Sequence, residues 1–457
     1  MSLKPTHYAF VEDEADFGDE LQDESVILDC ITVGAADTLH DRSWANIAER
    51  EEALEQTMLL AVSRRDFRRH VPELRAGGWV SFALNSGNPK QRGETIRANF
   101  VNLSGGPEGP ALPEFRLSYL KATSRRLPGL THLTGLHATR DKIQRVLEGA
   151  GSRARESRWI VIYDVGQGNA SALVDEYGHP CLFFDFGWPT SLNRGSRPID
   201  RPNLFACDTC YWDDGFSPPV ILSHWDYDHW AYAVKNTDYD FGKDAANMTF
   251  HPEALDRWWI TPRPPRPALS GKGLGPTHLR LIASLPKRLV WPNTLHRVPF
   301  CGGEVTRTDP RVAVRSRNNQ ALAWFVMEAA AAGRAILLPG DIHYNRLRWP
   351  KTVPDLSSLA ATHHGGKAGV PPKPVAGVLA RLAVAVGDPN IHGHPDCNAM
   401  NDHQKQGWPS PLKTASRNPI QMGGPSNGSI LLSPIAGLSP PAFHCPCLTN
   451  GNLVPTQ

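Results

Sequence analysis

Short apolar runs recur along this chain, and most of them stop at a polar loop carrying glycine, histidine or aspartate. Runs rich in β-branched and aromatic residues, too short for a helix and bounded by turn residues, read as buried strands. On that pattern strands are predicted at 159–163, 171–174, 181–187, 219–222, 320–328, 335–338, 383–386 and 427–432. Residues 359–362 lead in the same way into His363-His364-Gly365-Gly366. Strands that end in such loops deliver polar side chains to one edge of a sheet. Helical spacing is rarer and predicts helices over 44–60, 139–147 and 375–382.

The N-terminal third reads differently. A strand is predicted over 26–33, and an alternating one over 79–84 after Gly77-Gly78. Arg64, Arg65, Arg68, Arg69 and His70 form a basic cluster that reads as a solvated helix face. No catalytic pattern occurs here. The chain therefore divides into an α+β region over 1–155, a domain over 156–440 and a tail over 441–457. The first region is expected to pack beside the second and to shape substrate access or bind a protein partner.

Composition narrows the classes. Lys+Arg 48 against Asp+Glu 46 gives a net charge of +2, so the 457-residue chain is no polyanion-coating protein. The first thirty residues hold nine acids against Lys4 alone and read as a solvated acidic arm. No apolar run approaches the ~18 residues of a membrane span. Met1-Ser2-Leu3-Lys4-Pro5 opens no signal-peptide apolar core, which predicts a cytoplasmic protein without membrane contact. The eight cysteines are too scattered for a disulfide scaffold. Cys207-x-x-Cys210 with His444, Cys445 and Cys447 has the residue types of a structural zinc site, and buried free thiols are the plainer reading. Residues 261–276 are rich in proline and glycine and carry Arg263, Arg266 and Lys272; they read as a linker, or as a loop embracing phosphates.

The densest chemistry follows the strand at 219–222. His224, Asp226, Asp228 and His229 place four imidazole and carboxylate groups within one short loop. Those are ligands for a borderline or hard divalent cation, and no cap, turn or disulfide needs that combination.

These blocks resemble the metallo-β-lactamase superfamily, and more narrowly the soluble hydrolase domain of the ComEC competence family. The superfamily reads His-x-His-x-Asp-His; the ComEC type has Asp for the second His, as in His224-x-Asp226-x-Asp228-His229. Asp164-Val-Gly-Gln-Gly, Leu338-Pro-Gly340-Asp341, His363-His364-Gly365 and Gly393-His394-Pro395 match further blocks in order. Asn169 stands where the group has an acid, the membrane channel is missing, and no histidine with a supporting pattern fills the third metal motif. His251, His278 and His296 lie in that interval, and Asn318 and Asn319 sit near the group's Asn.

The resemblance implies an αββα sandwich, two mixed sheets with helices outside, over about 156–440. It implies two divalent ions, Zn²⁺ or Mn²⁺, with His224 and Asp226 on one, Asp228, His229 and His363 on the other, and Asp341 between them. Catalysis would fall to Asp228, Asp341 and His394, the last as acid to the leaving group. His364, Lys367, Arg263 and Arg266 would meet substrate. The expected function is a phosphodiesterase or nuclease acting on nucleic acid or nucleotides. The alternatives are hydrolysis of a lactam, lactone or thioester at the same centre, or a binding protein with a degenerate site.

Overall fold

The computed structural model describes residues 4–12, 25–40, 47–74, 76–85, 95–104, 113–123, 137–154, 158–198, 201–208, 211–212, 214–264, 273–309, 317–327, 333–377, 379–388, 392–415, 428–434 and 439–443. Six strands come first: β1 (His7–Val11), β2 (Ser25–Thr32), β3 (Thr57–Ser63), β4 (Trp79–Asn85), β5 (Thr95–Phe100) and β6 (Glu114–Thr123). Next come β7 (Trp159–Ile162), β8 (Ala170–Val174), β9 (Pro180–Phe186), β10 (Val220–Ile221), β11 (Val234–Asp240), β12 (Ala245–Phe250), β13 (Trp259–Thr261) and β14 (Arg288–Val290). The last are β15 (Arg297–Phe300), β16 (Gly303–Arg307), β17 (Leu322–Met327), β18 (Arg334–Leu338), β19 (Asp355–Ala360), β20 (Arg381–Val384), β21 (Leu412–Lys413) and β22 (Ile430–Leu432).

The first six strands close into an antiparallel barrel in the order β1-β2-β3-β5-β6-β4, with β1 pairing both β2 and β4. Two seven-stranded sheets follow, β14-β13-β10-β9-β8-β7-β22 and β15-β16-β17-β18-β19-β20-β21, and β11 and β12 form a hairpin. Alternation along the strands splits each sheet's residues between two faces. Ile160, Ile162, Leu182, Phe184 and Ile221 of the first sheet meet Val305, Trp324, Val326, Ile336 and Leu338 of the second in one apolar core.

The expected αββα sandwich is corrected by this architecture: the chain is mostly β, with a closed barrel and several sheets. The other face of the first sheet, with Val161, Val174, Phe183 and Val220, joins a cluster supplied by Trp188, Phe205, Trp230 and Tyr232. Phe10, Ile27 and Ile31 of the barrel belong to the same cluster. The segment after β9 is rich in proline and glycine and the one after β10 in tryptophan and tyrosine, with no 3.6-residue period in either to build a covering helix.

Two local expectations change for related reasons. The helix expected over 44–60 stops at Glu55, and Thr57–Ser63 becomes β3, paired on both sides by β2 and β5. Such pairing overrides local helix preference. The helix expected over 375–382 does not form: Gly377 has φ +76, which only glycine adopts readily, and Arg381–Val384 enters the second sheet. The helix at Arg140–Gly151 is as expected and somewhat longer, with Thr139 capping the Lys142 N–H. Among the described residues no helix is long and apolar enough to cross a membrane.

The barrel is fastened to the rest through the helix Pro276–Ser284. Arg280, almost fully buried, donates to the carbonyls of Glu55, Ala246 and Met248 at 2.8–3.0 Å. Asp29 of β2 accepts from Thr277 N and Oγ1. Arg280→Ala strips three buried carbonyls of their donor and should lower unfolding free energy by about 2–4 kcal/mol. Urea denaturation reads this directly, and an unchanged midpoint would contradict the docking role.

Candidate metal centre

The loop after β10 turns through Tyr227–His229, a single 3₁₀ turn that cannot satisfy its own side chains. Its polar groups are buried: His224, Asp226 and His229 are 0–2% exposed. Asp341 arrives from the end of β18, and His363 and His364 from the end of β19. Gly340 has φ +57, and a Cβ there would fall 2.7 Å from Ser223 Oγ. Gly187 is tighter still: a Cβ would overlap the Asp228 carbonyl at 1.8 Å. The loops after β9 and β18 each approach the loop after β10 closely because these positions lack side chains.

Each of three imidazoles is held at Nδ1 from behind. His229 Nδ1 meets Asp185 Oδ2 at 2.8 Å, His364 Nδ1 donates to the Ala385 carbonyl at 2.8 Å, and His224 Nδ1 meets Ser223 Oγ at 2.9 Å. Their Nε2 atoms all turn toward carboxylates. His224 Nε2 lies 2.9 Å from Asp226 Oδ2 and 3.8 Å from Asp341 Oδ2. His229 Nε2 lies 3.4 Å from Asp341 Oδ1 and 3.8 Å from Asp228 Oδ1. His364 Nε2 lies 3.1 Å from Asp228 Oδ2. A carboxylate or carbonyl behind Nδ1 is the usual support of a metal-ligating histidine, since it fixes the tautomer with Nε2 bare.

Buried polar atoms without a hydrogen-bond partner mark where a ligand belongs. His229 Nε2, Asp226 Oδ1 and Asp341 Oδ1 are such atoms. His224, His229 and Asp341 form one group able to hold a metal ion, and Asp228, His229 and His364 form another. The residues present therefore fit a divalent cation.

The electrostatics agree. Burial alone would lower the His229 pKa, but Asp341, Asp185 and Asp228 outweigh it and push it well above the usual imidazole range. His364 is also raised, because Asp228 and Asp341 overcome its burial. Burial would raise the three acids, yet His229 and His363 hold Asp341 well below the carboxylate range, His229 and His364 lower Asp228, and His224 with Arg317 lowers Asp226. A cluster that draws protons onto its imidazoles is one that asks for a cation.

The expected site residues fare unequally. His224, Asp226, Asp228, His229 and Asp341 converge. His364, expected to touch substrate, stands inside a ligand group, whereas His363 is 3.9 Å from Asp341 Oδ2 and lies beside the His394 ring at 5.3 Å between centroids. Both have φ near +50, a left-handed conformation costly for a side-chain-bearing residue. Lys367 lies 3.6 Å from Asp396 and is 60% exposed. Arg263 donates to His137 at 3.0 Å. Arg266, Lys272, Cys210, His444, Cys445 and Cys447 lie outside the described residues; Cys207 is buried. For the third motif, His251 packs against Phe205 and Tyr232, His296 is exposed, and His278 lies behind Tyr227.

Sequence reading missed Asp185, Ser223 and Arg317. Asp185 had a signal: an acid between Phe184 and Phe186 in an apolar strand, buried with no solvent to receive it. Its φ of +61 aims it at His229 and at the Ser223 N–H, which it accepts at 2.6 Å.

A third group, Glu12, Asp29 and His278, also lies close enough for a metal. Its chemistry argues otherwise. Arg317 Nη1 sits 3.2 Å from His278 Nε2, and a guanidinium only donates, so the ring proton is on Nδ1. That protonated Nδ1 faces Glu12 at 3.7 Å and Asp29 at 3.8 Å, beyond hydrogen-bond distance, and offers no lone pair to a cation in this tautomer.

Scans against family models, curated proteins and solved structures found no match to this chain.

A cation entering this centre must displace the protons held on His229 and His364. Their pKa values are raised, so competition begins above the ordinary imidazole range and deepens as pH falls. Metal affinity should drop about tenfold per pH unit for each proton displaced. Calorimetric titration with Zn²⁺ or Mn²⁺ across pH measures this, and a flat affinity would contradict it. Asp185→Asn should weaken binding by about 10- to 100-fold at neutral pH.

Proposed function

We propose that the chain is a metal-dependent hydrolase whose substrate is a phosphodiester of a nucleic acid or nucleotide. The observation that carries the reading is the convergence of three Nδ1-tethered imidazoles on Asp226, Asp228 and Asp341 in one buried space. The resemblance to ComEC-type hydrolase domains supports the phosphodiester. His224, His229 and Asp341, with Asp226 beside them, would hold one ion, and Asp228 and His364 would offer ligands to a second. Divalent ions in such a site activate water and offset charge on the attacking and leaving oxygens. Three carboxylates make the donor set hard, which moves the preference toward Mn²⁺ over Zn²⁺.

The open edge is formed by Asp228, 21% exposed, and His363, 14% exposed. Substrate would approach there, past His394 and Lys367. Burial, aided by His363, His364 and His392, pushes His394 down to about 2. That favours a neutral ring, and supports a role in orienting the substrate over that of acid to the leaving group. Its buried Nδ1 has no hydrogen-bond partner and is available to a substrate oxygen.

His394→Ala should slow turnover by about 10- to 100-fold through misplacement of the substrate. The loss should be equal on a natural diester and on a nitrophenyl diester, whose leaving group needs no proton. A loss confined to the natural diester would restore the acid role. Asp341→Asn should abolish more activity than this while leaving the thermal transition near that of the parent. Activity on lactones or thioesters, with none on nucleic acids or nucleotides under Mn²⁺ or Zn²⁺, would overturn the phosphodiester assignment.

A further inference from the structure

Behind the metal loop lies a buried polar network that the proposed chemistry does not use. Glu12 follows β1, and its N–H donates to Ile27 of β2, so it belongs to the barrel. Its carboxylate ion-pairs with Arg317, which precedes β17, and both are almost completely buried. Arg317 Nε lies 3.6 Å from Asp226 Oδ1, a charge contact longer than a hydrogen bond. The other oxygen of Asp226 faces His224 at 2.9 Å. Asp226 is thus held between the guanidinium on one side and the metal-facing imidazole on the other.

The next residue of the loop is gripped by the same barrel. Tyr227 OH donates to Asp29 Oδ2 at 3.0 Å and lies 3.3 Å from Glu12 Oε1. His278 closes the network, its ring tilted against Tyr227 at 4.2 Å between centroids. Two consecutive loop residues therefore take their placement from carboxylates that lie hundreds of positions away in sequence. Buried ion pairs are poor sources of stability, since an apolar pair of similar volume often serves as well. Residues supporting a metal ligand from behind, in contrast, commonly control its affinity.

We propose, resting on the metal-centre reading above, that Glu12 and Arg317 are positioning residues for Asp226. The N-terminal barrel then supplies part of the support of the centre, and is not a separate appendage.

The test uses the full chain stripped of metal and titrated with Co²⁺, whose visible spectrum reports ligand geometry. Glu12→Gln keeps the shape of the side chain and removes its charge. It should weaken Co²⁺ binding by about 10- to 100-fold and alter the spectrum. The double variant Glu12→Gln/Arg317→Met removes both charges, leaves neither uncompensated, and should keep a urea midpoint near the parent's while remaining weak in Co²⁺ binding. Co²⁺ affinity and spectrum equal to the parent's in both variants would overturn the proposal, including where the urea midpoint falls. A parent protein that takes up no Co²⁺ would instead overturn the metal-centre reading itself, and this proposal with it.

Discussion

Three carboxylates, Asp226 and Asp341 buried and Asp228 at the open edge, share one space at the end of two sheets, and the rest of the centre follows from what that costs. Like charges brought together out of water repel strongly and lose their hydration. Asp226, Asp228 and Asp341 are tolerable only if positive charge stands among them. In the protein alone the imidazoles provide it, and His229 and His364 are driven toward their protonated forms. A divalent cation would answer the same demand more completely. The supports of Asp185, Ser223 and the Ala385 carbonyl make sense only in that light, because each holds Nδ1 so that Nε2 points inward.

The sheets exist to make that arrangement rigid. The bare backbone at Gly187 and Gly340 lets the loops after β9 and β18 approach the loop after β10 closely. The left-handed pair His363 and His364 turns two consecutive imidazoles toward the same space. An apolar core between the sheets and an aromatic cluster over the first sheet fix both loops from below.

The order of strands and loops in the larger part of the chain was legible in the sequence, because short apolar runs bounded by polar loops carry their own signal. So were five members of the cluster, since His224, Asp226, Asp228, His229 and Asp341 follow strands directly. Three things were not legible. The closed barrel was hidden because β3 reads locally as the continuation of a helix, and only its two neighbours make it a strand. The outer layers were misjudged because aromatic loops cover the sheet where helices were expected. Which of His363 and His364 stands in a ligand group was not legible, because adjacent residues in a tight turn cannot be assigned to sides without its backbone angles. Arg317 and Glu12 meet across most of the chain, and no local pattern announces such a pair.

Anomalous diffraction from crystals grown with Mn²⁺ would show whether this cluster holds a metal ion. Anomalous density is expected within bonding distance of His224 Nε2, His229 Nε2 and Asp341, with a second peak beside Asp228 and His364 when a second ion is bound. Crystals that show no anomalous density between these residues at saturating Mn²⁺, with the side chains ordered as described, would contradict the metal-centre reading.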